Sequence, residues 1–215
     1  MATEPTPRIT HSPSLQLSLA TPTDLREITE VWYACLPESF VRQMFPYTPA
    51  LLAWWDAANG YDMAYKPYVK FVVVRDESKE GKGRIVGYAK WWVPKEDGMF
   101  SVEERFPEWS EESDGVLCDL FVNQLAKERK ELMGERKYYY LDMLGTLPEY
   151  RRLGVAAMLM RWGVERTDRD KLECFIDASD KGIPVYEKFG FFPKEPFVVP
   201  GMGFTCTTYI RPARP

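Results

Sequence analysis

The sequence predicts an α/β layered fold, one sheet with helices on both of its faces. Three observations predict it. Two strand-like runs, "YVKFVVVRD" and "GRIVGYAKWWV", flank the polar "ESKEGKG", which is the pattern of an antiparallel hairpin. Downstream, "KYYYLDMLGTL", "GVAAMLMRWGVERTD" and "LECFIDAS" read as strand, helix and strand, a right-handed crossover joining two parallel neighbours. Between these units, residues 115 to 133 read as a helix with Val116, Leu117, Leu120 and Phe121 apolar toward its start.

The remaining elements follow in chain order. With 215 residues, 45% hydrophobic and 28% charged, the chain is sized for one substantial core, expected as a single domain over residues 14 to 215. Residues 1 to 13, rich in Pro, Ser and Thr, are expected to form a disordered tail. "LQLSLA" alternates apolar and polar residues and predicts a short strand. A helix follows in "TPTDLREITEVWYACL", started by Thr21 or Thr23, with Leu25, Ile28, Val31 or Trp32, and Cys35 at helical spacing. "TPALLAWWDAA" predicts a second short helix. After the hairpin, residues 95 to 114 form an insertion with eight acidic residues against Lys95 and Arg105. It reads either as a solvated loop or as a surface that steers a cationic substrate. "PVYEKFG" predicts a short helix and "EPFVVPGMGFTCTTYI" closing β structure.

Composition excludes several function classes. Net charge is -4 and the sequence pI about 5.3, so no global basic field favours nucleic acid or an anionic membrane surface. The four cysteines, Cys35, Cys118, Cys174 and Cys206, form no CxxC or CxxH pair, which argues for reduced packing residues over zinc or a redox dithiol. The single histidine, His11, lies in the tail, so neither a histidine triad nor a histidine-bound metal is expected. No window approaches about 18 uncharged apolar residues and the N-terminus lacks a signal-peptide pattern, so a soluble, cytoplasmic protein is expected.

One stretch calls for a ligand. "LPEYRRLGVAAMLMRW", residues 147 to 162, sets Arg151 and Arg152 at the start of a helix, where the dipole disfavours positive charge by about 0.3 to 1 kcal/mol. That helix start presents unpaired N–H groups, and a phosphate there collects several hydrogen bonds at once. Gly154 lets the backbone approach closely, and Ala156 and Ala157 keep the first turn narrow. Charge-assisted contacts from the two arginines, roughly 1.5 to 3 kcal/mol each, outweigh the dipole penalty. The alternative is an ordinary basic helix start with a small-residue packing face. Neither a P-loop ending nor GxGxxG is present.

About thirty residues on stands "FIDASDKGIPVYEKFGFF". Paired with "LGTLPEYRRLGVAAML", it resembles the GNAT superfamily of acetyl-CoA-dependent N-acetyltransferases: Arg151, Gly154 and Ala156 occupy the [RQ]-x-x-G-x-[GA] turn, and Tyr186, Gly190 and Phe191 match a "xYxxxGF" pattern. The resemblance spans roughly residues 15 to 210. It implies a mixed, mostly antiparallel sheet with a central, splayed parallel strand pair and helices on both faces.

It also implies a site. The diphosphate of coenzyme A would lie on Arg151, Arg152, Leu153, Gly154, Val155 and Ala156, and the pantetheine arm in the splay, with Leu144 and Thr146 as backbone partners and Gly145 at the family's bulge. Tyr186 matches the family's general acid, although a phenol of pKa near 10 protonates a thiolate of parent pKa about 8.5 only when locally tuned. An amine of pKa near 10.4 costs about 4.6 kcal/mol to free at neutral pH, so a base is wanted. Asp142, directly or through water, is the first candidate and Asp119 the second. Asp177 and Ser179 match a segment near the cofactor arm, where Ser179 can donate. Lys188 reads as a coenzyme-phosphate contact or a solvated helix lysine. The acceptor pocket would come from the aromatic-rich residues 32 to 65, most of them core, with Trp91 and Trp92 contributing from the facing strand.

The implied activity is transfer of an acetyl group to a primary amine of a small molecule, by direct attack in a ternary complex, with no metal. A non-catalytic acyl-CoA binding or sensing protein, and a protein or peptide N-acetyltransferase whose acidic insertion attracts a basic peptide, are the alternatives. The sequence carries no signal of oligomeric state.

Overall fold

A computed structural model describes residues 14–36, 39–79, 81–100, 106–199 and 204–214. The expected tail, with His11, and residues 101–105 of the acidic insertion lie outside the described residues.

Strands β1 (Leu15–Leu19), β2 (Val69–Asp76) and β3 (Arg84–Trp92) pair antiparallel in sequence order. β4 (Tyr138–Thr146) pairs antiparallel with β3 and parallel with β5 (Glu173–Ala178). β8 (Phe204–Arg211) continues the sheet beyond β5 and carries the short β6 (Phe192–Pro193) and β7 (Phe197–Val199). The result is the mixed, mostly antiparallel sheet with one central parallel pair, in the order β1-β2-β3-β4-β5-β8-β6.

Helices cover both faces because neighbouring strand residues point opposite ways. α1 (Leu25–Cys35), α2 (Ser39–Met44), α3 (Pro49–Tyr65) and α4 (Gly115–Met133) are accompanied by α5 (Val155–Asp170) and α6 (Ile183–Lys188). Lys90 of β3 reaches Asp62 of α3, whereas the adjacent Trp91 faces α5. Trp91 is fully buried under Gly163, where an added Cβ would stand 2.3 Å from the indole. Gly163→Ala is therefore expected to destabilise by about 1 to 2 kcal/mol, since an overpacking penalty of about 1 to 3 kcal/mol exceeds the gain of up to about 1 kcal/mol in helix propensity. A lower denaturant midpoint at unchanged slope checks this.

The four cysteines are buried and none is in a disulfide. No helix among the described residues is long and apolar enough to cross a membrane.

Candidate functional site

The stretch singled out in the sequence forms a tight entry to α5. A single 3-10 turn, Pro148–Tyr150, leads into exposed residues 151 to 154. Gly154 is the N-cap with φ of 90° and offers no capping side chain, so the amides of the first helical turn face outward without an intrahelical acceptor. Arg152 also has positive φ, 66°, a conformation that costs a non-glycine residue of order 1 kcal/mol or more and recurs where backbone is shaped for a ligand.

Two contacts fix that turn. Val155 packs on Gly87 of β3, where any Cβ would lie 2.5 Å from Val155 Cγ1. The hydroxyl of Tyr150, 1% exposed, donates to Asp76 Oδ2 at 2.8 Å. Burial, with Asp76 as acceptor, pushes the Tyr150 phenol up to about 12. A raised phenol pKa stabilises the fold fully below its unfolded value near 10, and that contribution fades as pH rises from 10 toward 12. Tyr150→Phe is expected to cost about 1 to 3 kcal/mol, because Asp76 loses a buried donor. A lower melting temperature of the variant checks this.

Beside this turn the parallel pair splays. β4 and β5 are in register from Tyr138 opposite Glu173 to Leu141 opposite Ile176, and the pairing stops there. Residues 143 to 146 keep only β3 as neighbour, and Asp177 and Ala178 keep only β8. Leu144, Gly145 and Thr146 thus lie on the opened edge, and the Thr146 hydroxyl is buried without a hydrogen-bond partner. The bulge, however, is not at Gly145, which pairs in register with Tyr88. It is at Asp142, the extra residue between Met143 opposite Lys90 and Leu141 opposite Trp91. Gly145 is small for another reason: a Cβ there would stand 3.1 Å from Cys35 Sγ of α1.

The gap opens into a cavity of about 170 Å³. Its inner wall is Leu141 to Leu144 of β4, Ile176 to Ser179, Tyr186 of α6 and Cys206. The outer wall is Trp32 of α1 and Leu36 just after it, Val41 and Met44 of α2 and the following Phe45, Trp55 of α3, Phe106, and Cys118, Phe121, Val122 and Leu125 of α4. Trp91 and Trp92 do not line it, contrary to expectation. Trp91 faces α5, and Trp92 is fully buried with its indole N–H on Asp142. Nor is the described part of the acidic insertion simply solvated. Phe106 lies 6.2 Å from Trp55, and Trp109 lies 5.7 Å from Trp54 and 6.0 Å from Phe45 between ring centroids, so the loop docks on the cavity's aromatic rim.

The predicted polar residues divide. Tyr186 is 5% exposed and lines the gap, its phenol under Gly182, where a Cβ would be 2.4 Å from the hydroxyl. Burial, with Cys206 nearby, pushes this phenol above its ordinary value, opposite to the tuning an acid would want. Asp177 lines the gap and accepts from Tyr140 at 3.2 Å and Thr208 at 3.4 Å. Ser179 is exposed at the gap's end, and Lys188 is exposed on α6. Asp119 is exposed and accepts from Trp109 Nε1 at 2.8 Å, a loop anchor away from the gap. Asp142 has its backbone on the cavity wall, but its side chain is 0% exposed and accepts from Trp92 Nε1 at 3.0 Å. A carboxylate so covered does not meet a cavity-bound amine directly, which leaves the relayed role as its only route to that proton. Among the described residues no group of three or more His, Cys, Asp or Glu side chains is placed to hold a metal ion.

Sequence reasoning missed Phe106, Phe121 and Cys206 as wall residues, and the Tyr150–Asp76 anchor. The signal for part of the wall was present: Cys118, Val122 and Leu125 recur at helical spacing on α4.

Residues 25–191 match the family model described as the acetyltransferase (GNAT) family. No curated protein matches the chain significantly. Among solved structures, the fold is similar to a histone acetyltransferase HPA2 and related acetyltransferase from Corynebacterium glutamicum, at 18% identity and TM-score 0.64, covering 94% of this chain and 98% of that one. It is similar to a mosquito arylalkylamine N-acetyltransferase like 5b, at 15% identity and TM-score 0.59, covering 92% and 99%. It is also similar to a phosphinothricin acetyltransferase from Sinorhizobium meliloti in complex with AcCoA, at 18% identity and TM-score 0.54, covering 93% and 89%.

Proposed function

As the chain belongs to the acetyltransferase (GNAT) family, we propose that it is an acetyl-CoA-dependent N-acetyltransferase acting on a primary amine of a small, apolar molecule in a ternary complex. The observation that carries this reading is a continuous one: the outward amides at the start of α5, the opened edge of β4 and the aromatic-walled cavity lie in sequence around one gap.

In this reading the diphosphate rests on the turn Arg151, Arg152, Leu153, Gly154, Val155 and Ala156, where helix amides and two guanidinium groups converge. The pantetheine arm pairs with the edge at Leu144, Gly145 and Thr146, with Ser179 donating to it and Lys188 reaching a coenzyme phosphate. The acetyl group then lies between Met143 and Tyr186, facing the cavity.

Tyr186 acts on the tetrahedral adduct as a shuttle. Nitrogen attack forms the N–C bond and leaves the excess proton on nitrogen and negative charge on oxygen, which backbone N–H groups stabilise. As the C–S bond breaks, the phenol gives its proton to sulfur and takes one from nitrogen. No phenolate accumulates, which suits a phenol whose burial disfavours the anion. The covered Asp142 carboxylate has no direct path to the nitrogen.

The apolar walls support an aryl or alkyl amine over a polycationic peptide, whose charges would lose their hydration there. Buried cysteines without a disulfide fit a cytoplasmic setting. Thiol release from acetyl-CoA across arylalkyl amines, polyamines and basic peptides tests the reading. Turnover confined to apolar amines is expected, turnover with basic peptides alone overturns the acceptor class, and acetyl-CoA binding without any turnover favours the non-catalytic alternative.

A further inference from the structure

The bulge of β4 and the end of its pairing with β5 fall at one place. Leu141 opposite Ile176 is the last parallel pair, and the next residue, Asp142, is the one left unpaired against β3. Nothing in the local backbone demands a bulge there: residues 140 to 144 are Tyr, Leu, Asp, Met and Leu, without the glycine that commonly permits one. Met143 and Leu144 would continue the strand beside Ala178 equally well by propensity. A longer-range cause is needed.

The side chain of Asp142 supplies it. Its Oδ2 accepts from Trp92 Nε1 at 3.0 Å and lies 3.9 Å from Lys90 Nζ, and both partners project from β3, the strand against which the bulge forms. Lys90 is 3% exposed, with Phe71 and Trp92 rings 5.2 and 5.6 Å from its ammonium. Its Nζ stands 2.6 Å from Asp62 Oδ2 and 3.5 Å from Asn59 Oδ1 on α3, and Asp62 Oδ1 pairs with Lys66 at 2.5 Å. Buried ion pairs add little net stability over apolar replacements, and their best-attested use is to specify register. Shifting β4 by one residue would carry the Asp142 carboxylate to the opposite face of the sheet, away from Lys90 and Trp92, leaving buried charge uncompensated.

We propose that the buried cluster of Asp142, Lys90, Asp62 and Trp92 is a register lock that holds the bulge in β4 and so keeps the β4–β5 gap open for the pantetheine arm. Lys90 is a positioning residue, and the Asp142 carboxylate belongs to the lock rather than to proton transfer. The inference rests on the reading that this gap takes the arm of acetyl-CoA.

Calorimetric titration with two ligands separates the possibilities: acetyl-CoA, and 3′-phospho-ADP, which keeps the nucleotide and diphosphate but has no pantetheine. For Trp92→Phe, which removes the indole donor together with part of the ring, and for the charge-balanced Lys90→Met/Asp62→Asn, acetyl-CoA affinity is expected to fall by about tenfold or more. Affinity for 3′-phospho-ADP is expected to stay within about twofold. Equal losses for both ligands, or no loss for either, overturn the lock. So does Trp92→Phe protein that binds acetyl-CoA normally while the acid limb of its kcat/KM profile moves, since that is the behaviour of a base. Wild-type protein that binds neither ligand overturns the acetyl-CoA reading itself, a failure distinct from that of the lock.

Discussion

Tyr186→Phe is expected to lower kcat for acetyl transfer by about a hundredfold or more, the usual scale of a positioned proton donor. Its acetyl-CoA affinity and melting temperature are expected to stay near those of the wild type. The expectation follows from where the hydroxyl sits. The ring is held by burial and by Phe191 and Tyr209 at 6.2 and 6.4 Å, contacts that phenylalanine keeps. Tyr186 lines the gap, with its hydroxyl beneath Gly182. Single-turnover kinetics with a saturating apolar amine isolates the chemical step. Unchanged turnover would move the proton transfer to water and remove Tyr186 from the reaction.

The second large effect concerns Arg151→Glu/Arg152→Glu. Two charge-assisted contacts of roughly 1.5 to 3 kcal/mol each are lost and replaced by repulsion, so acetyl-CoA affinity is expected to drop by at least about a hundredfold. The free protein responds with the other sign. Negative charge near a helix N-terminus is favourable by about 0.3 to 1 kcal/mol per residue, so the unliganded variant is expected to melt at or above the wild-type temperature. Differential scanning with and without acetyl-CoA reads both. Ligand at about 100 times its Kd adds roughly 2.7 kcal/mol to the wild type, and the variant should show almost none of this at the same concentration. A variant that is both less stable and unaltered in affinity would return Arg151 and Arg152 to the role of ordinary surface residues.

Much of the fold was legible because its signals are local. The hairpin, the helix over 115 to 133 and the strand–helix–strand crossover all carry their periodicity within their own residues. The departures have tertiary causes. The helix expected to end at Ala58 runs to Tyr65, through Asn59-Gly60, a pair that reads as a turn. Gly60 is there for packing: its missing Cβ makes room for Leu25 of α1, which would lie 3.2 Å away. Gly145 drew attention as a bulge residue for the same kind of reason, and it too serves a helix contact. The real bulge at Asp142 depends on Lys90, Trp92 and Asp62, which are 30 or more residues distant in sequence and invisible to any window.

The site divides along similar lines. The phosphate turn is continuous in sequence, so its residue types and spacing could be read directly. The cavity is assembled from five helices, loop residues and three strands, and which aromatic faces inward is decided by packing alone. Trp91 and Trp92 illustrate this: adjacent in sequence, they go to opposite faces of β3, and neither reaches the cavity. The acidic insertion was read by its charge, whereas Phe106 and Trp109 determine where it rests.

A crystal structure of the protein with acetyl-CoA bound tests the central claim most directly. The account predicts diphosphate oxygens about 3 Å from the amides that open α5, with both arginines turned toward them and the pantetheine arm between Leu144 and Ala178. Coenzyme bound elsewhere, with its diphosphate away from Gly154, would contradict it.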